Sequence, residues 1–327
     1  MRRVTVLATI LLLAAATAGA TVWWIPAAAH AEGAQGSVWR TKLVLRSFDD
    51  ESRTVTVTLL PQGTDNSAMQ LEQQVTLPAG STLQLDDAVQ QLFGVTGAGG
   101  LRVEAPSDRL LVTSRTYNLS DEGTFGQSIP AVRDEAVVPA HSSAILVGLT
   151  GTDDFRTNVG WVNADGEGIE VMVRLYAASG QLLSERTFHE RPLGQTQFEL
   201  FGRMGVTPVA DAYAAVIADG RVQPYASVVA GGSNDPIYVN AMTGVDLATE
   251  VLVPAVARVG GAFGTVWTSD VWILNAGWHT TAVTAELWLQ DQANTTPQQV
   301  PIADALAPGE QVRIEDVIGG VFALDDT

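Results

Sequence analysis

The chain has 327 residues, a net charge of −18 at neutral pH and no cysteine. Its negative charge repels phosphate backbones, so we expect no nucleic-acid partner. Without cysteine the chain can form neither a disulfide nor a thiolate metal site, and each folded unit must be stabilised by its apolar core alone.

The amino terminus has the layout of a secretory signal peptide. A basic start is followed by a stretch without charge from Val4 to Ile25, and Ala29-His30-Ala31 offers a small-x-small cleavage site. This order predicts a signal peptide over residues 1–31. The alternative is an uncleaved anchor, because the apolar stretch approaches the length of a membrane span. We favour cleavage, which predicts a secreted, cell-surface or periplasmic bacterial protein without a membrane span in its mature form.

The rest of the sequence repeats three times. Trp39, Phe155 and Trp267 are anchors spaced 116 and 112 residues apart, and an alternating apolar hexad follows each anchor at the same interval. The hexads cover residues 55–60, 171–176 and 283–288. A period of this length suits one small domain per repeat. We predict repeat 1 over residues 32–135, repeat 2 over residues 136–248 and repeat 3 over residues 249–327.

Short segments with period-2 alternation run through every repeat and are bounded by Gly, Pro, Asp and Asn. This pattern is typical of β-strands, and sustained helical periodicity is missing. Six or seven short strands in about a hundred residues fit an immunoglobulin-like sandwich. The fold prediction is therefore all-β, with tandem immunoglobulin-like β-sandwich modules after an amino-terminal signal peptide.

Repeat 3 is shorter than the other two. Residues 306–316 match residues 77–87 without a gap, but repeat 1 then continues through two more predicted strands, 101–104 and 110–117. A sandwich without its last strands exposes sheet edges. We expect either that the sequence is part of a longer protein, which we favour, or that another strand completes the sheet.

Carboxylates cluster between the first two predicted strands of repeats 1 and 2. The candidates are Asp49, Asp50, Asp165 and Glu167, since oxygen-rich loops of this kind can hold Ca²⁺. Repeat 3 has Asn-Ala-Gly-Trp at the same place, and Asx and Gly are also the residues that a tight turn requires. We favour turns, and we expect neither a metal nor a cofactor.

Three tryptophans of repeat 3 are candidates for ligand binding. Strand alternation turns Trp272 and Trp288 outward, and Trp278 lies between them in the sequence. Outward aromatic rings can form a stacking platform for sugar rings or for the surface of a partner protein. The alternative is that these rings cover a neighbouring module or the missing strands.

Catalytic motifs are not found in the sequence. The four histidines are scattered, and His189-Glu190 lacks the second histidine of the zincin motif. Neither a Gly-x-Ser-x-Gly elbow nor a Gly-Lys-Ser/Thr phosphate loop occurs. Paired Asp and Glu can serve glycoside hydrolysis, but no pattern places two of them across a cleft. We expect a protein that is not an enzyme.

The segment that starts at Gly264 with Gly-Thr-Val-Trp-Thr-Ser-Asp-Val and ends at Leu274-Asn275 resembles the repeated β-sandwich modules of uncharacterised secreted bacterial proteins. A Trp-x-Thr/Ser start, an Asn turn and a Leu-Pro-x-Gly turn recur in that family. The resemblance covers nearly all of the predicted mature chain. It implies an exported architecture of several modules and brings no catalytic residues with it.

These observations lead to two functional expectations. The first is a non-catalytic extracellular structural or adhesion-type protein that contacts a cell-surface protein or polysaccharide. The second is a carbohydrate-binding accessory protein that uses the three tryptophans of repeat 3.

Overall fold

A computed structural model of the chain describes residues 20–121 and 123–325. Strands make up 54% of the structure and helices 9%, so the all-β prediction is confirmed. All the paired strands run antiparallel, and they form several sheets. None of the helices formed by the described residues is both long and apolar enough to span a bilayer.

Unit 1 comprises residues 20–133 and has two layers of strands. One layer has the order β4-β3-β6-β1 and the other the order β5-β2-β7-β8. The end of β1 also pairs with β2, which joins the two layers, and β9 pairs with β1. The elements are β1 (Thr21–Glu32), β2 (Val38–Ser47), β3 (Arg53–Pro61), β4 (Leu71–Leu77), β5 (Thr82–Leu85), α1 (Ala88–Phe93), β6 (Gly97–Ala105), β7 (Leu110–Ser120), β8 (Gly123–Pro130) and β9 (Val132–Arg133).

Unit 2 comprises residues 134–248 and repeats this topology strand for strand. Its layers have the orders β13-β12-β15-β10 and β14-β11-β16-β17, so each strand corresponds to the strand of unit 1 numbered nine lower. The elements are β10 (Ser143–Leu149), β11 (Phe155–Asn163), β12 (Ile169–Tyr176), β13 (Leu182–Glu190), β14 (Gln195–Glu199), α2 (Leu200–Met204), β15 (Ala212–Ala218), β16 (Val222–Ala230) and β17 (Pro236–Asn240).

The strand order differs from that of an immunoglobulin domain. In that fold the first strand lies beside the second, and the seventh lies beside the sixth. Here the first strand pairs over most of its length with the sixth, as β1 does with β6 and β10 with β15. The seventh strand pairs with the second, as β7 does with β2 and β16 with β11. The first and seventh strands have thus exchanged places, and the immunoglobulin-like part of the prediction is not confirmed.

Unit 3 comprises residues 249–325 and repeats only the first part of the topology. Strand β20 pairs with β23 as β2 pairs with β5, and β21 pairs with β22 as β3 pairs with β4. Counterparts of β6, β7 and β8 do not occur within residues 249–325. The strands are β18 (Arg258–Gly260), β19 (Val266–Thr268), β20 (Val271–Leu274), β21 (Thr281–Leu287), β22 (Gln298–Leu306) and β23 (Gln311–Ile314).

Short helices follow the fifth strand in units 1 and 2. Asp87 and Glu199 precede α1 and α2, and their carboxylates accept hydrogen bonds from free backbone N–H groups of the first turn. Gly94, at φ 65°, and Gly205, at φ 70°, end the two helices in the left-handed conformation that glycine adopts most easily. In unit 3 a single π-type turn, Val317–Val321, follows β23 at the same place.

Each unit encloses its own cluster of buried apolar side chains. In unit 2 both layers contribute to a core around Trp161, whose indole N–H donates to Glu190 Oε2 at 2.7 Å. The cluster of unit 1 includes Ile25 and Leu43, and the smaller cluster of unit 3 includes Ile314. The alternating residues of the first two hexads lie on β3 and β12 and point into these cores, and Ala285 and Leu287 of the third hexad do so from β21.

Strand β1 includes most of the segment that the sequence assigned to the end of the signal peptide. Trp23 pairs with Val103 and Ile25 with Leu101, and both β1 side chains lie in the core of unit 1. Cleavage between residues 31 and 32 would therefore remove a core strand from the sheet of unit 1. The predicted start of repeat 1 at residue 32 is corrected to Thr21. The rest of the predicted leader, residues 1–19, lies outside the described residues.

A chain that begins at Thr21 should fold like the full chain, whereas a chain that begins at Glu32 should lose the fold of unit 1. Removing a large core side chain costs about 2–5 kcal/mol, and a domain is stable by only about 5–15 kcal/mol in total. The loss is measured as faster hydrogen exchange of the backbone amides of β3 and β6. Equal protection of β6 in the two chains would contradict the placement of β1.

Candidate functional site

Units 1 and 2 meet in a buried apolar cluster. Trp24 projects from β1 on the side opposite to Trp23 and Ile25, and it is only 2% exposed. Leu60, at the end of β3, is fully buried beside it. Unit 2, which includes the connector between β9 and β10 (residues 134–142), contributes the other members, which are Val137, Val162, Ala164 and Leu193. The junction thus resembles a small domain core, and it restricts rotation between the two units.

A charged network surrounds this cluster. The indole N–H of Trp24 donates to Asp134 Oδ1 at 2.8 Å, and Arg221 donates to Asp134 Oδ2 at 2.8 Å and to Asp165 Oδ1 at 2.9 Å. Burial raises the pKa of Asp134, but the hydrogen bonds from Trp24 and Arg221 outweigh burial and hold that pKa below its usual range. The carboxylate is therefore charged at neutral pH and links β1, the connector and unit 2.

The outer face of β16 also packs against unit 1. All residues of β16 except the last are buried, since one face lies on the core of unit 2 and the other on unit 1. Tyr225 is fully buried, belongs to the core cluster of unit 1 and stacks on Tyr238 at 5.8 Å. Its hydroxyl donates to Gln197 Oε1 at 2.6 Å, and burial raises the pKa of this hydroxyl. The tyrosine therefore stays neutral and acts as a packing group.

Units 2 and 3 meet around Trp272 of β20. Its indole N–H donates to Asp211 Oδ1 at 3.0 Å, and the guanidinium of Arg313 lies 5.4 Å from its ring centroid. Gly148 has φ 67° and no side chain, and a Cβ built there would lie only 3.1 Å from the indole. The ring is half-buried against unit 2. Trp272 thus covers a neighbouring unit, which was the alternative to ligand binding in the sequence analysis.

The two junctions use the same positions of the repeat. Gln195 opens β14 and Gln311 opens β23, so these glutamines occupy equivalent places in counterpart strands. Gln195 Nε2 donates to Pro26 O at 3.3 Å, and Gln311 Nε2 donates to Asp211 O at 2.6 Å, in each case to the preceding unit. A loop after the third strand of the preceding unit also contacts each glutamine backbone. The units are therefore joined by one recurring arrangement.

The calcium candidates of unit 1 are bonded to other side chains. Asp49 Oδ1 accepts a hydrogen bond from Ser107 Oγ at 3.0 Å and lies 3.8 Å from Arg53 Nε. Asp50 lies 3.4 Å from Arg109 Nη1. Both carboxylates thus have arginine partners and help to fix the loop after β2.

The candidates of unit 2 are similar. Asp165 accepts hydrogen bonds from both the side chain and the backbone of Arg221, and Glu167 is exposed. Asn163 Oδ1 accepts the backbone N–H of Asp165 at 2.8 Å, which is the Asx-turn arrangement. Within residues 20–121 and 123–325, no group of three or more His, Cys, Asp or Glu is arranged to hold a metal ion.

Trp278 and Trp288 are exposed by 91% and 63%. The seven residues of β21 separate them, and at about 3.3 Å per residue they lie roughly 20 Å or more apart along the strand. With Trp272 in the junction, the three rings do not form one platform. Trp288 ends the third hexad, and the residues that end the first two, Leu60 and Tyr176, both lie at junctions between units. Trp288 thus occupies a junction position without a following unit in the described chain.

The open end of unit 3 carries an apolar segment that the sequence analysis missed. Val251, Leu252 and Val253 are 72%, 77% and 49% exposed. Val253-Pro254-Ala255 matches Ile25-Pro26-Ala27 of β1, so this segment corresponds to the buried half of β1. In unit 1 that half pairs with β6, and residues 249–325 contain no counterpart of β6. The signal that could have revealed it was the third copy of the Val/Ile-Pro-Ala motif.

A cavity of about 350 Å³ lies at the turn between β21 and β22. Leu287, Leu289 and residues 292–298 line it, and none of these side chains is charged. Trp288 follows Leu287, the last residue of β21, and is not among the residues that line the cavity. The cavity and the exposed indole ring are therefore separate features of unit 3.

Comparison with known proteins adds no family to this description. No protein-family model matches the chain, and no curated protein matches it. The function is therefore inferred from the two junctions and the open end of unit 3.

The substitution Trp272→Ala should loosen unit 3 from unit 2, because it removes the ring that Asp211 and Arg313 hold at the junction. We expect a loss on the order of 1–3 kcal/mol, measured as faster proteolysis of the connector between residues 243 and 257. Trp278→Ala is the matched control, because it removes the same side chain from an exposed position. Equal rates for both variants and the parent would contradict the role of Trp272.

Proposed function

We propose that the chain is an exported, non-catalytic structural protein of the adhesion type, built from tandem β-sandwich units with the exchanged strand order described above. The observation that carries the proposal is the recurring junction, in which equivalent glutamines and packed tryptophan rings join successive units. Buried junctions hold units at fixed angles, whereas loosely tethered domains move freely. A stiff array of this kind is suited to holding a contact surface away from a cell.

Export to the bacterial surface or the periplasm agrees with the amino-terminal sequence. The apolar, uncharged stretch after the basic start has the composition of a secretory leader. The absence of cysteine suits any compartment, and the charge of −18 favours solubility of the array. The partner in this proposal is a protein of the cell surface.

The contact surface in this proposal is the open end of unit 3. In unit 1, β6 lies between β1 and β3, where Leu101 pairs with Ile25 and with Leu59. In unit 3 the counterparts of β1 and β3 are the exposed segment at Val253 and the strand β21. An extended segment added between them would gain backbone hydrogen bonds on both sides and would cover the exposed apolar side chains. The ligand that we propose for this site is an extended segment of the partner protein with apolar residues at alternate positions.

A synthetic peptide with the sequence of β6, residues 97–105, is the probe for this site. We expect it to slow hydrogen exchange of the backbone amides in residues 251–257 and in β21 by at least several-fold. The chain used is the full array, so that unit 3 keeps its junction with unit 2. The expected effect follows from new backbone hydrogen bonds to both segments. In the described chain β21 pairs only with β22, and residues 251–257 belong to no strand.

Two controls make this experiment decisive. A peptide with Leu101→Lys and Val103→Lys should have no effect, because its apolar face is lost. In the protein, Val253→Asp should abolish protection while leaving the fold intact, since Val253 is half exposed. Unchanged exchange with the parent peptide, or equal protection by both peptides, would overturn strand addition.

Carbohydrate binding is the second candidate function. It is supported by the exposure of Trp278 and Trp288, because large exposed aromatic rings on soluble proteins often mark contact sites. In this alternative each ring acts alone, since the strand between them keeps them apart.

A glycan array probed with the full chain tests this second candidate. If sugar stacking is the function, Trp278→Ala or Trp288→Ala should lower the signal at least tenfold, and Phe48→Ala, at an exposed ring of unit 1, should leave it unchanged. An array without signal, or a signal that both tryptophan variants retain, would remove carbohydrate binding from consideration.

A further inference from the structure

Strand β1 is immediately preceded by a small-x-small sequence. Ala18-Gly19-Ala20 ends one residue before Thr21, the first residue of the strand. We propose that the exported chain is cleaved between Ala20 and Thr21, which makes Thr21 the amino terminus of the folded protein. This inference rests on the proposed export of the chain and assigns the processing site.

The first argument is the role of β1 in folding. Cleavage after Ala31 would remove Trp23 and Ile25 from the core of unit 1 and Trp24 from the junction with unit 2. It would also leave one edge of β6 unpaired over the length that β1 now covers. Cleavage after Ala20 keeps all of these contacts, since Ala20 is exposed and lies outside the strand.

The second argument is that β1 belongs to the repeat. Ile25-Pro26-Ala27 corresponds to Val253-Pro254-Ala255 before β18, and each motif begins fourteen residues before its anchor, Trp39 or Trp267. Residues 32–39, Glu-Gly-Ala-Gln-Gly-Ser-Val-Trp, likewise correspond to residues 260–267, Gly-Gly-Ala-Phe-Gly-Thr-Val-Trp. A segment that recurs in the middle of the chain, where no leader can be, belongs to the folded unit rather than to the leader.

The third argument is the length of the apolar segment. A secretory leader has an apolar region of about 7–15 residues before its cleavage site. Residues 4–17 fit this length, whereas the uncharged stretch from Val4 to Ala29 is too long. Small residues at the first and third positions before the cleaved bond are the feature that a signal peptidase recognises, and Ala20 and Ala18 supply them.

The reaction is hydrolysis of one peptide bond by a signal peptidase of the exporting cell. Water adds across the Ala20–Thr21 amide, so that Ala20 gains a carboxylate and Thr21 gains a free amine. No oxidant, metal or further reactant is needed. The freed amine is the backbone nitrogen of Thr21, the partly exposed first residue of β1.

The test is to express the full chain with its own amino terminus in an exporting bacterium and to determine the intact mass and amino-terminal sequence of the exported protein. We expect Thr21 as the first residue. In a chain with Ala18→Leu and Ala20→Leu, processing at this bond should fall at least tenfold. Ala31→Leu is the matched control at the other small-x-small site and should leave processing unchanged.

The other outcomes are distinguishable. An exported protein that begins at Glu32 would overturn the proposed site while leaving export intact. A chain found only inside the cell with Met1 or Arg2 at its amino terminus would overturn both the site and export. Processing at Thr21 that continues undiminished in the Ala18→Leu, Ala20→Leu chain would also count against recognition of these alanines.

Discussion

The burial of β1 on both faces is the constraint on which units 1 and 2 depend. Trp23 and Ile25 enter the core of unit 1, while Trp24 on the opposite face enters the junction with unit 2. One strand therefore stabilises a unit and also fixes its neighbour. Strand β16 does the same from the other side, because Tyr225 reaches the cluster of unit 1 while Ala226 faces the core of unit 2. Units 1 and 2 are joined because β1 and β16 each contribute side chains to two apolar clusters.

The junction between units 2 and 3 follows the same plan with less apolar surface. Both junctions contain an indole that donates to an aspartate and a glutamine that donates to the preceding unit, and only the glutamines occupy equivalent positions of the repeat. Burying a polar group is costly unless it is hydrogen-bonded, and here each indole N–H and each glutamine Nε2 donates to an acceptor, although Gln195 Oε1 is buried without a partner. Such contacts depend strongly on geometry, so they favour one arrangement of neighbouring units over many similar ones.

Within residues 249–325, unit 3 lacks the strands that complete the sandwich in units 1 and 2. Its counterparts of β1 and β3 remain without the strand that lies between them in unit 1, and Leu252 and Trp288 are exposed where Trp24 and Leu60 are buried. The counterparts of the first five strands thus have exposed apolar residues in unit 3, where the strands that cover them in unit 1 do not occur within residues 249–325. An array with exposed strand edges in unit 3 has the properties of a contact module, which is why adhesion is the function that we propose.

The sequence alone determined that the chain is all-β, that it repeats three times and that the hexads lie on strands, because alternation reports which residues face a core. Alternation cannot report how many faces of a strand are buried. Strand β1 therefore has the same continuous apolar pattern as a leader, and only its pairing with β6 and its contacts with unit 2 show that it is a strand. For the same reason the sequence placed Trp272 and Trp288 alike on an outward face, whereas tertiary structure decided that a neighbouring unit covers Trp272 and leaves Trp288 exposed. The carboxylates of the loops were likewise visible in the sequence, but Arg109 and Arg221, the partners of Asp50 and Asp165, are distant along the chain and meet them only in the folded protein.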